Sequence, residues 1–361
     1  MLYASVTATG SERHVRPILP ALAFVSIGLL FAPVIGTQRT SLTIALVPNV
    51  PSGATFIAAD KGYFSAAGLD VKIERIDSLS KAVAFVATNQ VQVGQGGIDA
   101  GYFNGAAEGL PVVMALESGS TPLYHQILLR PELKNQIKTV ADLKGRKVGI
   151  GSPGSISVYE IGMVLAAAGL RIKDIDLKYL AFTQMGAALA NGALDAALEV
   201  APFTDIAIEQ KIAVPWIDPE EGYIKPLPLT NVAYIANTEW IKQSPQVAKR
   251  LFVALAHAGR DYCQAYHHGP NRAEVVDIMV KNKIVTDRDL LDRMDWQARS
   301  PDGELNLDSV DSVQTFFKQE AIIDKTAPRE RLVDASFAQA AAKELGPFVL
   351  ANKSSKLMGC R

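Results

Sequence analysis

The sequence has few of the residues from which metal sites are built. Its 361 residues include only two cysteines, Cys263 and Cys360, and five histidines. Cysteine, histidine and carboxylate ligands must converge on a metal, and no such set stands at ligand spacing around the adjacent pair His267-His268. We therefore predict no metal and no cofactor. The histidine pair is interpreted as a solvated helix end before Gly269-Pro270.

Two cysteines are also too few to define a disulfide framework. An oxidising compartment would permit a bridge between Cys263 and Cys360, but the sequence alone does not show whether their Cα atoms lie within disulfide reach. Cys360 is next to last in a polar segment, residues 352–361. Because chain ends are often poorly ordered, we interpret it as a free thiol in a disordered tail. Pairing remains the open alternative.

The chain lacks a charge excess of either sign. Its 36 basic residues are balanced by 37 acidic residues, and the formal net charge is -1. Proteins that bind nucleic acid carry a basic patch, so nucleic acid is not a predicted partner. A hydrophobic content of 48% with 20% charged residues is typical of a globular protein, and the length suits two domains.

Only one long hydrophobic run stands out, and it lies near the N-terminus. Arg13 and Arg16 precede the run Ile18 to Phe31, which is shorter than the roughly 20 residues that span a bilayer. Val34 and Gly36 follow it and fit the small-residue rule for signal cleavage. We predict a signal peptide over residues 1–36 and a periplasmic mature chain from about Thr37. A retained anchor is the alternative.

The most informative pattern is an internal repeat. Each copy has the order strand, loop, helix, strand, and in each the helix ends with Ala-Ala-Gly-Leu. The first copy comprises Leu42 to Val47, Pro48 to Gly53, a helix ending at Ala66 to Leu69, and Val71 to Ile76; the second comprises Val148 to Ile150, Gly151 to Ser155, a helix ending at Ala167 to Leu170, and Leu177 to Leu180. Gly68 and Gly169 are predicted to end their helices in the left-handed conformation, which strains residues that carry a Cβ.

The repeat continues through one more helix and strand in each copy. The added strands are Val91 to Val93 and Leu194 to Leu198. The sequence therefore predicts two βαβαβ lobes of α/β class, and such lobes bind ligands at the carboxyl ends of their strands. We expect the ligand in a cleft between the lobes.

The rest of the chain determines how the lobes are connected. A strand at Asn231 to Ala236 is followed by a mostly helical region up to Leu350. If that strand returns to the first lobe, the second lobe is an insertion and two crossings form a hinge. We predict residues 37–125 and 230–361 as lobe one with the C-terminal helices, and residues 126–229 as lobe two.

Four segments resemble a known family. They lie in the family's order and span most of residues 41–203, and they are Ala58 to Val71, Gly109 to Val113, Asp142 to Ile150, and Asn191 to Ala197 followed by Pro202. They are similar to the periplasmic solute-binding proteins of the nitrate, sulfonate, taurine and thiamine-precursor type, the SsuA/THI5-like and NMT1-like family. The C-terminal third matches that family only in its helical character.

The resemblance implies a fold and a role. The implied fold is the type II periplasmic binding protein fold, and the implied role is a monomeric receptor that presents a small-molecule solute to an ABC importer permease. Such a receptor touches the membrane only through the permease and is not an enzyme. The resemblance does not name the solute, because the shared segments concern lobe packing more than the chemistry of the pocket.

The candidate site follows from the loops after the predicted strands. Gly151 to Ser157 is the sharpest candidate, because hydroxyls and free N–H groups at a helix start suit an anionic or polar group. Ser157 and Glu160 fit a capping box, and capping alone is the alternative role of these serines. The predicted ligand-binding residues are Asn49, Ser52, Gly96, Gly97, Glu117, Ser152, Gly154, Ser155, Glu199, Phe203 and Asn231.

The carboxylates leave the charge of the ligand open. Glu117 and Glu199 would repel an anion in a low-dielectric cleft, but either could accept a hydrogen bond from an amine or an N-heterocycle. We favour a small organic anion such as a sulfonate, with a pyrimidine or amine-type ligand as the alternative. The rival class is an enzyme on the same fold, of the thiamine-pyrimidine or menaquinone biosynthesis type. The sequence has no evident Ser-His-Asp set, and an export signal argues against such an enzyme.

Overall fold

The computed structural model of the protein describes residues 7–11 and 39–361. Residues 39–361 belong to one compact unit. The hydrophobic run and cleavage site of the predicted signal peptide lie outside the described residues. Within the described ranges, no helix is long and apolar enough to cross a membrane.

Ten strands in residues 39–361 form two five-stranded sheets. The strands are β1 (Thr40–Leu46), β2 (Leu69–Arg75), β3 (Val93–Gly97), β4 (Val112–Ser120), β5 (Gln126–Leu129), β6 (Lys147–Ile150), β7 (Asp176–Tyr179), β8 (Ala196–Glu199), β9 (Val214–Ile217) and β10 (Thr230–Asn237). The first sheet has the order β2-β1-β3-β10-β4, and the second has the order β7-β6-β8-β5-β9.

The two sheets have matching topologies. In the first, β1 pairs in parallel with β2 and β3, while β10 is antiparallel to β3 and β4. In the second, β6 pairs in parallel with β7 and β8, while β5 is antiparallel to β8 and β9. In each sheet, one antiparallel strand from outside the βαβαβ unit thus lies between the last strand of that unit and the strand at the sheet edge. The predicted doubled α/β architecture is confirmed.

Fourteen α-helices in residues 39–361 surround these sheets. They are α1 (Gly53–Asp60), α2 (Tyr63–Ala66), α3 (Leu79–Ala87), α4 (Ala100–Glu108), α5 (Ile156–Ala166), α6 (Phe182–Ala190), α7 (Phe203–Glu209), α8 (Thr238–Gln243), α9 (Pro245–Tyr266), α10 (Arg272–Lys281), α11 (Arg288–Arg293), α12 (Leu307–Gln319), α13 (Arg329–Leu332) and α14 (Ser336–Leu345). The long α9 packs against α1 and α14, and α12 packs against both α4 and α5.

The chain passes between the sheets twice. It leaves the first sheet after β4 and enters the second at β5, and it returns between β9 and β10. The division into lobes at residues 125/126 and 229/230 remains a prediction. Gly68 and Gly169 have φ angles of 71° and 70°, so the predicted left-handed helix ends are confirmed.

The capping box predicted at Ser157 and Glu160 is wrong. Helix α5 begins at Ile156 with Ser155 at its N-cap, which places Ser157 inside the first turn. The start is earlier because Gly154 takes a left-handed φ of 66° and Ser155 is extended, so the loop ends at Ser155. Glu160 is therefore free to point into the protein, where it meets a histidine described below.

The prediction of a free Cys360 in a disordered tail is also wrong. Cys360 forms a disulfide with Cys263 on α9. His267, one helical turn later, is buried rather than solvated, and its ring nitrogens lie 2.7 Å from Ser355 Oγ and 3.1 Å from Gly359 O. Residues four apart share one face of a helix, so Cys263 and His267 together hold the tail against α9.

Candidate ligand-binding site

A cavity of about 600 Å³ lies where the strands of both sheets end. Loops after all six parallel strands of the two βαβαβ units line it. The lining residues are Val47 and Pro48 after β1, Asp77 to Leu79 after β2, Gly97 and Asp99 at the end of β3, Gly151, Ser152 and Ser155 to Ser157 after β6, Ala181 to Thr183 after β7, and Val200 and Phe203 after β8. His125 and Asn231 line it from the starts of the antiparallel strands β5 and β10. An antiparallel strand begins at the edge of the sheet where its parallel neighbours end. The six parallel strands and the antiparallel strands β5 and β10 therefore each have one terminus at this cavity. We call it the cleft.

The structure brings five of the eleven predicted residues together in the cleft. They are Gly97, Ser152, Ser155, Phe203 and Asn231. A sixth, Asn49, lines a neighbouring cavity of about 80 Å³, which shares His125 and Val200 with the cleft. These six residues come from both sheets.

Three of the predicted residues serve the backbone around the cleft. Ser52 is buried, and its backbone N–H donates to Asn49 Oδ1 at 3.0 Å, while the backbone N–H of Asn49 donates to Ser52 Oγ at 3.1 Å. Gly96 lies against α3, where a Cβ would be 3.2 Å from the Cβ of Leu79. Gly154 accepts a 2.8 Å hydrogen bond from the backbone N–H of Ala100, which joins the α5 loop to the start of α4.

Glu117 lies away from the cleft. Strand β4 continues to Ser120, so Glu117 is not at its end, and its Oε2 accepts a 2.9 Å hydrogen bond from the backbone N–H of Ser300. It lines a separate cavity of about 550 Å³ together with Thr121 and Pro228. Burial raises the pKa of Glu117 to about 7.

Glu199 is enclosed behind the cleft wall. Its side chain is fully buried, and neither carboxylate oxygen has a hydrogen-bond partner among the described residues. Val200 and Phe203, which follow it, line the cleft. Burial raises the pKa of Glu199 to about 8. A pKa of about 8 favours the protonated carboxyl group at neutral pH.

We expect Glu199→Gln to change how stability depends on pH. A folded pKa near 8 lies above the ordinary value of 4.5, so the native state holds the proton longer than the unfolded chain. Native stability is therefore lost as pH rises from about 4.5 to about 8. Glutamine has no proton to lose there, so the variant should gain roughly 3–5 kcal/mol relative to wild type between pH 5 and pH 8. Urea unfolding of both proteins at pH 5 and at pH 8 measures the difference in their free energies of unfolding. A difference that is the same at the two pH values contradicts the prediction.

A histidine that the sequence did not single out stands at the cleft wall. His125 is buried, and its Nδ1 lies 3.1 Å from each carboxylate oxygen of the fully buried Glu160 on α5. Burial disfavours the charged imidazole, yet the negative charge of Glu160 outweighs it and raises the pKa of His125. Nδ1 is thus engaged, and Nε2 has no protein partner among the described residues. No local motif reveals this pair, because its members are 35 residues apart.

The polar groups of the cleft are mostly neutral. Ser155 Oγ has no hydrogen-bond partner and lies at the start of α5, where the helix dipole favours electron-rich groups. Asp99 lines the cleft but is occupied as the N-cap of α4, accepting from Tyr102 N and from Ser80 N and Oγ. Asp77 lies at the exposed rim beside Lys81. Among the described residues, no lysine or arginine lines the cleft.

Two aromatic rings line the second-lobe side of the cleft. Phe203 was predicted, and Phe182, at the start of α6, was not. Phe182 packs on Gly151, where a Cβ would lie 3.0 Å from its ring. Within residues 7–11 and 39–361, no group of three or more His, Cys, Asp or Glu residues could hold a metal ion.

Two α/β sheets of matching topology, joined by two crossings around a cleft at their strand ends, define the type II periplasmic binding protein fold. The sequence profile described as "NMT1/THI5 like" matches residues 49–268, so the chain belongs to the NMT1/THI5-like family. The family named by resemblance in the sequence is thus confirmed.

Relatives of known sequence or structure agree with this assignment. A putative thiamine biosynthesis protein of Haemophilus influenzae is 24% identical over 320 residues, which cover 86% of this chain and 96% of the relative. The periplasmic aliphatic sulphonate binding protein SsuA of Escherichia coli has a similar fold, with a TM-score of 0.66, 18% identity, and coverage of 82% of this chain and 92% of that one. The periplasmic nitrate-binding protein NrtA of Synechocystis PCC 6803 has a TM-score of 0.65, 14% identity, and coverage of 90% and 92%.

Proposed function

We propose that this protein is an extracytoplasmic receptor that binds a small solute in the cleft and delivers it to an ABC importer permease. The observation that carries this proposal is the cleft itself, which collects residues from the strand ends of both sheets. Ligands of open α/β folds bind at such strand ends. A monomer with lobes at residues 37–125 with 230–361 and at 126–229 would close on the solute through the two crossings.

The proposed location outside the cytoplasm has two supports. The N-terminal sequence carries the features of a signal peptide. The disulfide between Cys263 and Cys360 is of a kind that persists in oxidising compartments such as the periplasm. Mass spectrometry of the exported chain should find an N-terminus near Thr37; an unprocessed chain would contradict the soluble periplasmic form.

For the ligand, the cleft favours an amine or N-heterocycle over the sulfonate that the sequence suggested. A sulfonate needs compensating positive charge when it leaves water. The lining residues offer no lysine or arginine, and the one basic side chain, His125, is already engaged by Glu160. Phe182 and Phe203 could stack on a flat ring, while serine hydroxyls and Asn231 satisfy its polar edge.

An enzyme is the second candidate, since one relative carries a biosynthetic name. A nucleophilic mechanism would need a hydroxyl hydrogen-bonded to a base. None of the cleft hydroxyls, which belong to Ser78, Ser152, Ser155, Ser157 and Thr183, is hydrogen-bonded to His125. This geometry supports the receptor.

A thermal-shift screen tests the receptor and its ligand class together. The compounds are ethanesulfonate, nitrate, benzoate, simple amines, pyridines and pyrimidines. A ligand present at 100 times its Kd stabilises the native state by about 2.7 kcal/mol, and we expect such a shift from N-heterocycles or amines. A shift from ethanesulfonate or nitrate alone contradicts the ligand class. No shift from any compound, together with turnover of one, contradicts the receptor.

A matched pair of variants locates the binding site. Phe182→Ala removes a ring from the cleft, and Phe85→Ala removes a ring of the same size that is exposed on α3. Stacking on an aromatic ring contributes about 0.5–1.5 kcal/mol beyond its buried area. We therefore expect Phe182→Ala to weaken binding roughly tenfold and Phe85→Ala to leave it unchanged. Equal effects of the two variants would place the ligand elsewhere.

A further inference from the structure

His125 has one ring nitrogen that the protein leaves without a partner. Its Nδ1 lies 3.1 Å from each carboxylate oxygen of Glu160 on α5. Nε2 makes no hydrogen bond with a described residue, yet it is not one of the unpartnered side-chain atoms that the protein fully encloses. Nε2 lies on the side of the ring away from Nδ1, so it opens to the space that His125 lines.

That space includes the cleft. His125 lines both the cleft and the neighbouring cavity of about 80 Å³. A water molecule occupies roughly 30 Å³ of the liquid, so the smaller cavity has no room for a ring. The cleft, at about 600 Å³, has room for one. A ligand ring that reaches Nε2 must therefore do so from the cleft.

Glu160 determines which nitrogen of His125 keeps a proton. A carboxylate only accepts hydrogen bonds, so Nδ1 must carry N–H to bond with it. Glu160 is fully buried, and loss of that N–H would leave its charge unpaired in the interior. When the ring loses a proton, the proton therefore leaves Nε2. Nε2 is a donor in the charged ring and an acceptor in the neutral ring.

The charged groups around the ring favour its protonated form. Burial lowers the pKa of His125, but the carboxylates near it raise the pKa above the ordinary value of 6.5. The groups that surround it are acidic, and they are Glu160 on α5, Asp218 and Glu220 in the loop after β9, and Asp77 and Asp99 among the residues that line the cleft. Acidic neighbours supply no N–H that could replace Nδ1 as the donor to Glu160. The direction of the switch at Nε2 is therefore fixed.

We infer that His125 sets which hydrogen bond the cleft offers its ligand, because Nε2 donates to an acceptor atom of the ligand while the ring is charged and accepts from an N–H of the ligand once the ring is neutral. This inference rests on the proposed function and adds to it the residue that distinguishes members of its ligand class. A heterocycle with a bare ring nitrogen is favoured at low pH, and one that presents N–H is favoured at high pH. A cationic amine is repelled by the charged ring, so it too binds better at high pH.

Nitrogen-15 NMR of the histidine rings tests the switch without a ligand. The signals of His125 are assigned through their absence in His125→Leu/Glu160→Met. We expect Nδ1 to remain protonated from pH 5 to pH 9, while Nε2 loses its proton above pH 6.5. Loss of the proton from Nδ1, or no titration of the ring in this range, overturns the inference.

Two small rings that do not titrate between pH 5 and pH 9 test the effect on binding. Pyrazine has two acceptor nitrogens and no N–H, whereas pyrrole has an N–H and no acceptor nitrogen. The Kd of each is measured at both pH values by chemical-shift titration. From pH 5 to pH 9, affinity for pyrazine should fall about tenfold and affinity for pyrrole should rise about threefold, since hydrogen bonds to charged groups are the stronger kind. The ratio of the two affinities cancels any effect of pH that both rings share.

Three variants assign the change in this ratio. In His125→Leu/Glu160→Met the ring and its partner are both removed, and the ratio should not depend on pH. Glu160→Gln keeps an oxygen that accepts from Nδ1 but removes the charge, so the pH at which the ratio changes should fall. The exposed control His268→Gln should keep the wild-type ratio at each pH. A wild-type change in the double variant would assign the effect to another group and overturn the inference.

The remaining outcomes separate this inference from the proposed function. If Nε2 titrates and the ratio stays constant in wild type, Nε2 opens to the smaller cavity, and the inference is overturned while the receptor stands. The same holds if Glu160→Gln leaves the pH of the change where it is in wild type. Binding of neither ring contradicts the proposed ligand class, and the role of His125 in specificity falls with it.

Discussion

Replacement of His125 by leucine is expected to lower the free energy of unfolding by about 3–5 kcal/mol near pH 6, because a buried carboxylate loses its partner. Glu160 is fully buried, and both its oxygens lie 3.1 Å from His125 Nδ1. No other side-chain or cap hydrogen bond to Glu160 is present in the described residues. The leucine variant would leave its charge in an apolar interior. Urea denaturation followed by circular dichroism measures the change.

The pH dependence of this effect has a definite sign. The folded pKa of His125 is raised above its ordinary value of 6.5, so the ion pair contributes fully below about pH 6.5. That contribution is lost as pH rises through the raised folded pKa. Relative to the double variant His125→Leu/Glu160→Met, which has neither titrating group, wild type should therefore lose stability between pH 6 and pH 9. A wild type that does not lose stability relative to that variant would contradict a raised pKa of His125.

A double variant separates the pair from the packing. In His125→Leu/Glu160→Met both charges are removed and similar volumes remain, and such replacements of buried ion pairs are often neutral or stabilising. The double variant should therefore be more stable than His125→Leu alone. If both variants lose the same stability, the shape of His125 matters and its charge does not.

The repeat made the architecture and part of the cleft predictable from sequence. Loops after parallel strands were known candidates, and Ser152, Ser155 and Phe203 indeed line the cleft. The helix-ending glycines were predictable because a left-handed residue favours glycine whatever the tertiary context. These features depend on local sequence alone.

The remaining features depend on tertiary contacts. His125 precedes the four-residue strand β5, and only the antiparallel pairing of β5 with β8 brings it to the cleft edge. Glu117 does not line the cleft, because β4 continues three residues past it, to Ser120. The cavity of about 80 Å³ beside the cleft is lined in part by Met294 and Gln297 from the C-terminal region, whose helical pattern does not indicate where its connecting loops lie.

The C-terminal tail depends on the disulfide, and removing that bond should have the second large effect. Cys263 and Cys360 are 97 residues apart, and a cross-link that closes a long loop restricts the unfolded chain. Loss of such a bond typically costs about 2–4 kcal/mol. We expect this loss in Cys263→Ala/Cys360→Ala, measured by urea unfolding. The wild type in dithiothreitol is the matched control, and the variant should not respond to the reductant.

The same variant should loosen the first crossing as well as the tail. Gly359 packs against the first crossing so closely that a Cβ would lie 2.9 Å from Pro122 and 2.4 Å from Ala298. The tail is also held to α9 by Tyr266, whose hydroxyl donates to Met358 O at 2.6 Å, and by His267. Without the disulfide, these hydrogen bonds alone must hold the tail, so amide hydrogen exchange should become faster at residues 352–361. Because the tail packs on the first crossing, exchange should also become faster at Thr121 to Leu123. Faster exchange in the tail with no change at the crossing would show that the tail does not stabilise the crossing. Unchanged exchange at both would show that the hydrogen bonds suffice without the disulfide.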